Sequence, residues 1–346
     1  MKNDERFFNP KVRFFDTPWQ MNLELTTRCP LHCPQCYVSL NQGTEMNIDT
    51  ALYWIRDAAE AGIKQVNLSG GETLCYPHLK ELILECKRLD LSSAIALSGV
   101  YAEKETLKEL IDAGVDDIFI SLNGSTREIN SRTRDGYELA VRALETLKEL
   151  EFENRHINWV MHSSNADDFP SLMELAEKYG VNTVAILAFK PDSSYELKSY
   201  PTKQQMTDTA AFIKKYKGNV KIVPEPCFSQ MRAYVYKSFL GNLNMGPARG
   251  CGAGRNGISV AVDGRLTPCR HLDVRESFEH ISDYWNNSDF LKQLRSVEEN
   301  RKAPCKGCIY ENNCLPCQAV GYKLHEGPNF GMEECPVHEA AENEIK

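Results

Sequence analysis

The sequence has no apolar run approaching the ~18 residues that a membrane span requires, and its opening MKNDERFF holds no apolar signal region. A cytoplasmic protein without a membrane segment is expected. It has no basic surplus, since 40 Lys and Arg stand against 48 Asp and Glu for a net charge of -8. A nucleic-acid footprint needs a basic face, so small molecules or polypeptides are the expected partners. It also lacks an even cysteine count. Thirteen cysteines in a reducing compartment do not suit a disulfide framework; they suit metal ligands plus a few spare thiols. With 346 residues, 42% hydrophobic and 25% charged, the chain can bury one large domain and a smaller one.

What is present first is alternation. Short β-rich runs over 21–27, 64–70, 92–98, 117–123, 156–162 and 183–189 are separated by helical patterns such as IDTALYWIRDAAEAG and PHLKELILECKRL, several stopped by a glycine suited to a left-handed cap. Six βα units imply a parallel sheet, either open and doubly wound or closed as a barrel. In both, chemistry gathers at the C-terminal strand ends. Those ends run into Cys29, Gly70-Gly71-Glu72, Ser98-Gly99 and Ser121-Leu122-Asn123-Gly124. After about residue 225 the pattern breaks up, and the tail from Cys251 is rich in Cys, Gly and Pro. Metals are expected to order it.

The stretch TTRCPLHCPQCYVSL places Cys29, Cys33 and Cys36 within eight residues. Structural zinc takes four ligands and disulfides take pairs. An odd, tight set points instead to a metal centre with one coordination position open, the plainer alternatives being surface cysteines or part of a zinc site. A 4Fe-4S cluster on three thiolates leaves one iron for a chelating ligand.

CxxxCxxC followed by an aromatic, here Tyr37, closely resembles the radical S-adenosylmethionine (SAM) enzymes. The resemblance covers most of the chain, because later segments follow in order. It implies a partial (β/α)6 TIM-like barrel over residues 21–225, after an N-terminal extension at 1–20 and before a bridging segment at 226–250. SGGET is similar to the family's glycine-rich segment that binds the SAM ammonium group, which would make Gly70, Gly71 and Glu72 cofactor contacts; a tight turn is the bland alternative. Glycine lets a backbone approach a ligand closely. SLNGSTREINSRTRDGYE resembles the fourth-strand segment, where Ser121 and Arg134 would contact the methionyl part of SAM, with Arg132 a rival for Arg134. Ser98 stands in LSGV, where the family often has Thr-Asn-Gly, and is a further expected contact. The chemistry implied is reductive cleavage of SAM to methionine and a 5'-deoxyadenosyl radical that takes a hydrogen from substrate, inside an enclosure that excludes water.

Seven cysteines remain in the tail. CGAGRNGISVAVDGRLTPC suggests a hairpin turning at Asp263-Gly264, and CKGCIYENNCLPC supplies a dense cluster. Two CxxC pairs also make a good zinc site. Residues 251–346 closely resemble the SPASM extension, named for subtilosin, pyrroloquinoline quinone, anaerobic sulfatase and mycofactocin maturation. That resemblance implies two auxiliary 4Fe-4S clusters, one on Cys305, Cys308, Cys314 and Cys335 and the other on Cys251, Cys269 and Cys317. The second set is one ligand short, because Gly257 stands where fuller members have another cysteine. Either an open iron or a ligand such as His271 or Asp273 would follow.

Most relatives with this extension modify peptides, so maturation of a ribosomally made peptide by crosslinking, epimerisation or oxidation is expected. The alternative is small-molecule chemistry on an amino sugar or a tetrapyrrole. Sulfatase maturation fits less well, since Arg270 follows Cys269 where that subgroup has an aspartate base. The short extension before the first strand leaves no room for a fused peptide-recognition domain, so a separate recognition protein or direct contact is expected. A flavodoxin or ferredoxin would supply electrons. Cys227, Cys75 and Cys86 belong to no cluster pattern; buried packing is their ordinary fate, and Cys227, between barrel and tail, is also a candidate hydrogen-atom donor.

Overall fold

The structure is a computed structural model that describes residues 12–38, 43–191, 196–235, 250–308, 310–311, 314–325, 327–332 and 335. Seven parallel strands stand side by side in chain order: β1 (Gln20–Glu24), β2 (Gln65–Ser69), β3 (Ser92–Leu97), β4 (Asp117–Ser121), β5 (Arg155–Met161), β6 (Thr183–Ala188) and β7 (Lys221–Pro224). The first six coincide with the runs expected from the sequence, β1 and β5 each starting one residue earlier. β7 is an addition, a four-residue strand ending in proline. The crossovers carry α1 (Ile48–Glu60), α2 (Leu79–Arg88), α3 (Lys104–Ala113), α4 (Arg127–Ser131), α5 (Tyr137–Glu149), α6 (Phe169–Lys178) and α7 (Lys203–Lys215), and α8 (Ser229–Val235) follows β7.

The helices start and stop where local chemistry says they should. Asn47 caps α1 by accepting from Asp49 N, Thr202 and Gln205 form a reciprocal capping box on α7, and Gly114 closes α3 at φ +96°. Their apolar faces pack on the outward residues of the strands. Leu23, Val66, Leu68, Ile118, Ile120, Ile157, Trp159, Val184 and Ile186 are all fully buried there, and each such side chain contributes roughly 1.5–3 kcal/mol of burial.

The opposite strand face carries a different set. Asn22 stands beside Asn67 and Ser121 beside Asn158, and these residues line a cavity rather than a packed layer. The tail completes the sheet. β8 (Gly257–Val260) lies parallel to β1, with Gln20 opposite Gly257, and β9 (Leu266–Thr267) returns antiparallel through the expected turn, where Gly264 has φ +87°. Beyond it come α9 (Ile281–Asn287), α10 (Asp289–Arg295) and α11 (Gln318–His325). The sheet therefore runs across the boundary drawn at residue 251. No helix among the described residues is long and apolar enough to cross a membrane.

Candidate active site

One cavity of about 500 Å³ opens along the inner face of the sheet. Its lining includes Cys29, Cys33 and Cys36 together with Cys227, Cys251, Cys269 and Cys317. The triad sits on the loop after β1, and that loop is tied down on two sides. Gly71 N donates to Thr26 O at 2.6 Å and Glu72 N to Arg28 O at 2.8 Å; His32 N donates to Asp135 Oδ2 at 2.9 Å and Gln35 N to Thr133 O at 3.4 Å. The triad loop is thus clamped between the β2 turn and the connection after β4. Burial pushes the Cys29 thiol up to about 11 and also raises Cys36.

Gly70, Gly71, Ser98, Ser121 and Arg134 all line this cavity, as does Tyr37. The glycines are required by protein neighbours as much as by any ligand. A Cβ on Gly70 would meet Thr26 O at 2.5 Å, and one on Gly71 would meet Arg28 O at 2.4 Å. Glu72 is not among the lining residues; its buried carboxylate accepts from Leu74 N, from Ser98 N at 2.8 Å and from the Ser98 hydroxyl. It orders the turn and aims Ser98. Burial raises its pKa above the ordinary carboxylate value against the opposing effect of those hydrogen bonds. Arg134 has a buried Nε without a hydrogen-bond partner. Arg132 instead donates to Ser164 O at 2.9 Å and pairs with Glu128 at 3.0 Å, away from the cavity.

Tyr37 is 39% exposed, yet its hydroxyl is enclosed. It donates to Glu24 Oε1 at 3.2 Å and accepts from Arg270 at 3.3 Å, and Arg270 also donates to Asn22 Oδ1 at 3.0 Å. Desolvation carries the tyrosine up to about 12. Arg270 thereby locks the aromatic after the triad to β1 and to the tail.

The tail cysteines line two different pockets. Cys305, Cys308, Cys314 and Cys335 line one small enclosed pocket with Arg301. A Cβ on Gly331 would lie 2.3 Å from Cys305 Sγ, so a glycine is needed against that sulfur. Cys251, Cys269 and Cys317 line the large cavity. Among the described residues, no group of three or more His, Cys, Asp or Glu closes around a point fit for a single metal ion. The three sulfur-only sets fit iron-sulfur clusters in donor chemistry, as they would fit zinc. Cys305 is lifted to about 11 and Cys269 to about 12 by burial, so ligation has to displace protons.

Two features were not anticipated. Cys227 stands with this second set, lining the same cavity as Cys251, Cys269 and Cys317. Lys190 and Glu225, just past the ends of β6 and β7, form a partly buried pair at 2.8 Å on the cavity wall. Burial opposes the lysine's charge, but Glu225 outweighs it and holds the ammonium charged. Applying the strand-end rule to β6 as well as to β1–β4 points to Lys190. Cys86 is buried in α2.

A parallel α/β sheet whose first strand delivers three open cysteines to a cavity at the strand ends defines an iron-sulfur enzyme scaffold. Residues 23–176 match the Radical SAM superfamily, and the chain carries a radical SAM domain, whose cofactors are a 4Fe-4S cluster and SAM. It is 27% identical to the PqqA peptide cyclase of Gluconobacter oxydans (strain 621H) over 353 residues, covering 95% of this chain and 94% of that protein. It is 25% identical to the AdoMet-dependent heme synthase of Methanosarcina barkeri (strain Fusaro / DSM 804) over 332 residues, covering 90% and 94%. Its fold is shared with Streptococcus suis SuiB bound to the precursor peptide SuiA, at a TM-score of 0.74 and 17% identity over 94% of this chain and 77% of that one.

Proposed function

We propose that this protein is a radical SAM peptide maturase, which abstracts hydrogen from a ribosomally made peptide to set a crosslink, an oxidation or an inverted centre. The observation that carries this reading is the single cavity lined by both the SAM triad and the Cys251, Cys269 and Cys317 set. A substrate held between them meets hydrogen abstraction on one side and an electron acceptor on the other. The similarity to a PqqA peptide cyclase over nearly the whole chain supports a peptide substrate.

When bound, the cluster of the triad and SAM supply a 5'-deoxyadenosyl radical. The chain's own residues then have defined tasks. Gly70 and Gly71 present backbone, Arg134 offers a forked donor to the SAM carboxylate, Ser98 and Ser121 add hydroxyls, and Glu72 fixes Ser98. Tyr37 covers the cluster side while held by Arg270. Two auxiliary clusters sit on the tail cysteines, a cytoplasmic flavodoxin or ferredoxin delivers electrons, and a separate recognition protein or the barrel mouth itself takes the leader.

The test is anaerobic turnover with dithionite, SAM and peptides encoded beside the gene. The expected result is 5'-deoxyadenosine plus a peptide product of altered mass or stereochemistry, with Cys29→Ala, Cys33→Ala and Cys36→Ala each abolishing both. Turnover of a tetrapyrrole or an amino sugar with no peptide modified would reject the substrate class, and 5'-deoxyadenosine from a triad variant would reject the reaction.

A further inference from the structure

The Cys251, Cys269 and Cys317 set needs a fourth ligand, and position 257 cannot supply it. Gly257 opens β8 against β1, where a Cβ would lie 3.0 Å from Gln20 Cγ. A fourth sulfur arrives from another part of the chain. Cys227, in the turn between β7 and α8, lines the same cavity as Cys251, Cys269 and Cys317.

The backbone builds this meeting. Leu315 O accepts from Cys251 N at 3.0 Å and from the Ser229 hydroxyl, while Gly250 bridges to Leu315. One carbonyl therefore joins the segments bearing Cys227, Cys251 and Cys317. The Cys227 turn is also anchored from the barrel, since Glu225 N donates to Ile186 O at 2.9 Å and Glu225 Oε1 accepts from Ala188 N at 2.7 Å.

We propose that Cys227 is the fourth protein ligand of the auxiliary cluster on Cys251, Cys269 and Cys317, so that this cluster has no open iron. The inference rests on the auxiliary-cluster reading above. On ligation each thiol gives its proton to solvent and its sulfur bonds one iron. The cluster is then coordinatively closed and left to carry electrons, and Cys227 is not a hydrogen-atom donor. The rival ligands are placed less well. Asp273 has a side chain 66% exposed and pairs with Arg265 at 3.1 Å. His271 lines the cavity with a buried, unpartnered Nδ1, but its ring packs 4.3 Å from that of Tyr37 beside the first triad.

The experiment uses the full chain with Cys29, Cys33 and Cys36 all changed to Ala, so that only auxiliary clusters remain after anaerobic reconstitution. About eight irons per chain are expected, with electron paramagnetic resonance (EPR) signals that cyanide does not alter and with no strongly coupled nitrogen in pulsed EPR. Adding Cys227→Ala should make one signal cyanide-responsive or remove about four irons; Cys227→Ser should retain the iron and shift one midpoint potential. A cyanide-responsive signal with Cys227 intact overturns the proposal, and that arm needs no Cys227 variant to fold. A coupled nitrogen lost in His271→Ala overturns it in favour of the histidine, and unchanged spectra in both Cys227 variants overturn it as well. Stoichiometric zinc or iron-free tail cysteines would bring down the auxiliary-cluster reading itself, a failure that metal analysis separates from an open iron.

Discussion

Arg132 and Arg134 stand two residues apart and face different surroundings, one bonded to Ser164 and Glu128, the other with a free Nε on the cavity wall. If Arg134 holds the SAM carboxylate, its loss removes a charge-assisted interaction of about 1.5–3 kcal/mol. Arg134→Gln should therefore raise the KM for SAM by roughly 10- to 100-fold, while Arg132→Gln should leave it near the wild-type value. Rates of 5'-deoxyadenosine formation against SAM concentration decide this, and equal effects of the two changes would reject the assignment. At this scale the sequence was informative wherever a residue's role follows from its neighbours in the chain. The spacing of Cys29, Cys33 and Cys36 is local, and so is the Gly70-Gly71 turn. The partnership of Cys227 with Cys251 and Cys317 is set by a carbonyl at Leu315, far from the first two cysteines in sequence. No spacing rule reaches that far.

Among the elements, α1 and α2 are joined by one carboxylate. Glu85 on α2 accepts from Arg56 of α1 at 2.6 Å and from Arg88 at 2.7 and 2.8 Å. Hydrogen bonds from Arg88, opposed by some desolvation and aided by Arg56, hold its carboxyl at about 2, below the ordinary 4.5. A lowered value in the fold means stability present above pH 4.5 and lost as the pH falls through about 2. Both arginines are more than half exposed, so the pair contributes about 1 kcal/mol at most. Glu85→Gln should lower the melting temperature by a few degrees at pH 7, and the gap to wild type should narrow as the pH drops below 4.5. A gap independent of pH would mean that packing, not charge, is responsible. The helices α1, α2, α3, α5 and α6 and six strands were legible for similar local reasons: outward apolar residues such as Val66 and Leu68, and glycine stops such as Gly114; the short α4, α7 and the helices after β7 were not. β7 was not, because KIVP is short, half exposed and ends in proline. The hairpin of β8 and β9 was legible from Asp263-Gly264, but its place beside β1 depends on long-range pairing that no local pattern encodes.

For the whole molecule, the tail is structurally continuous with the barrel. β8 pairs with β1 along its length, Phe15 N and Trp19 N donate to Arg255 O and Asn256 O at 2.9 and 2.8 Å, and the Trp285 indole donates to Phe15 O at 2.9 Å. Asp57 of α1 accepts from Ile281 N at 2.7 Å and from His280 at 2.8 Å. Removing the tail would strip β1 of a neighbour and leave an open sheet edge beside buried apolar residues, a template for aggregation. The full chain should therefore unfold in one cooperative transition by calorimetry and by near-ultraviolet circular dichroism, even though its cysteine sets lie in two segments. A fragment ending at residue 235 should be insoluble or should melt without a sharp transition, with the triad cysteines unable to retain iron. A soluble fragment with its own sharp transition and about four irons per chain would show instead that the barrel folds alone. In that case the continuity of the sheet would be a docking contact, and the wall that the tail cysteines give the cavity could be separated from the radical chemistry without losing it.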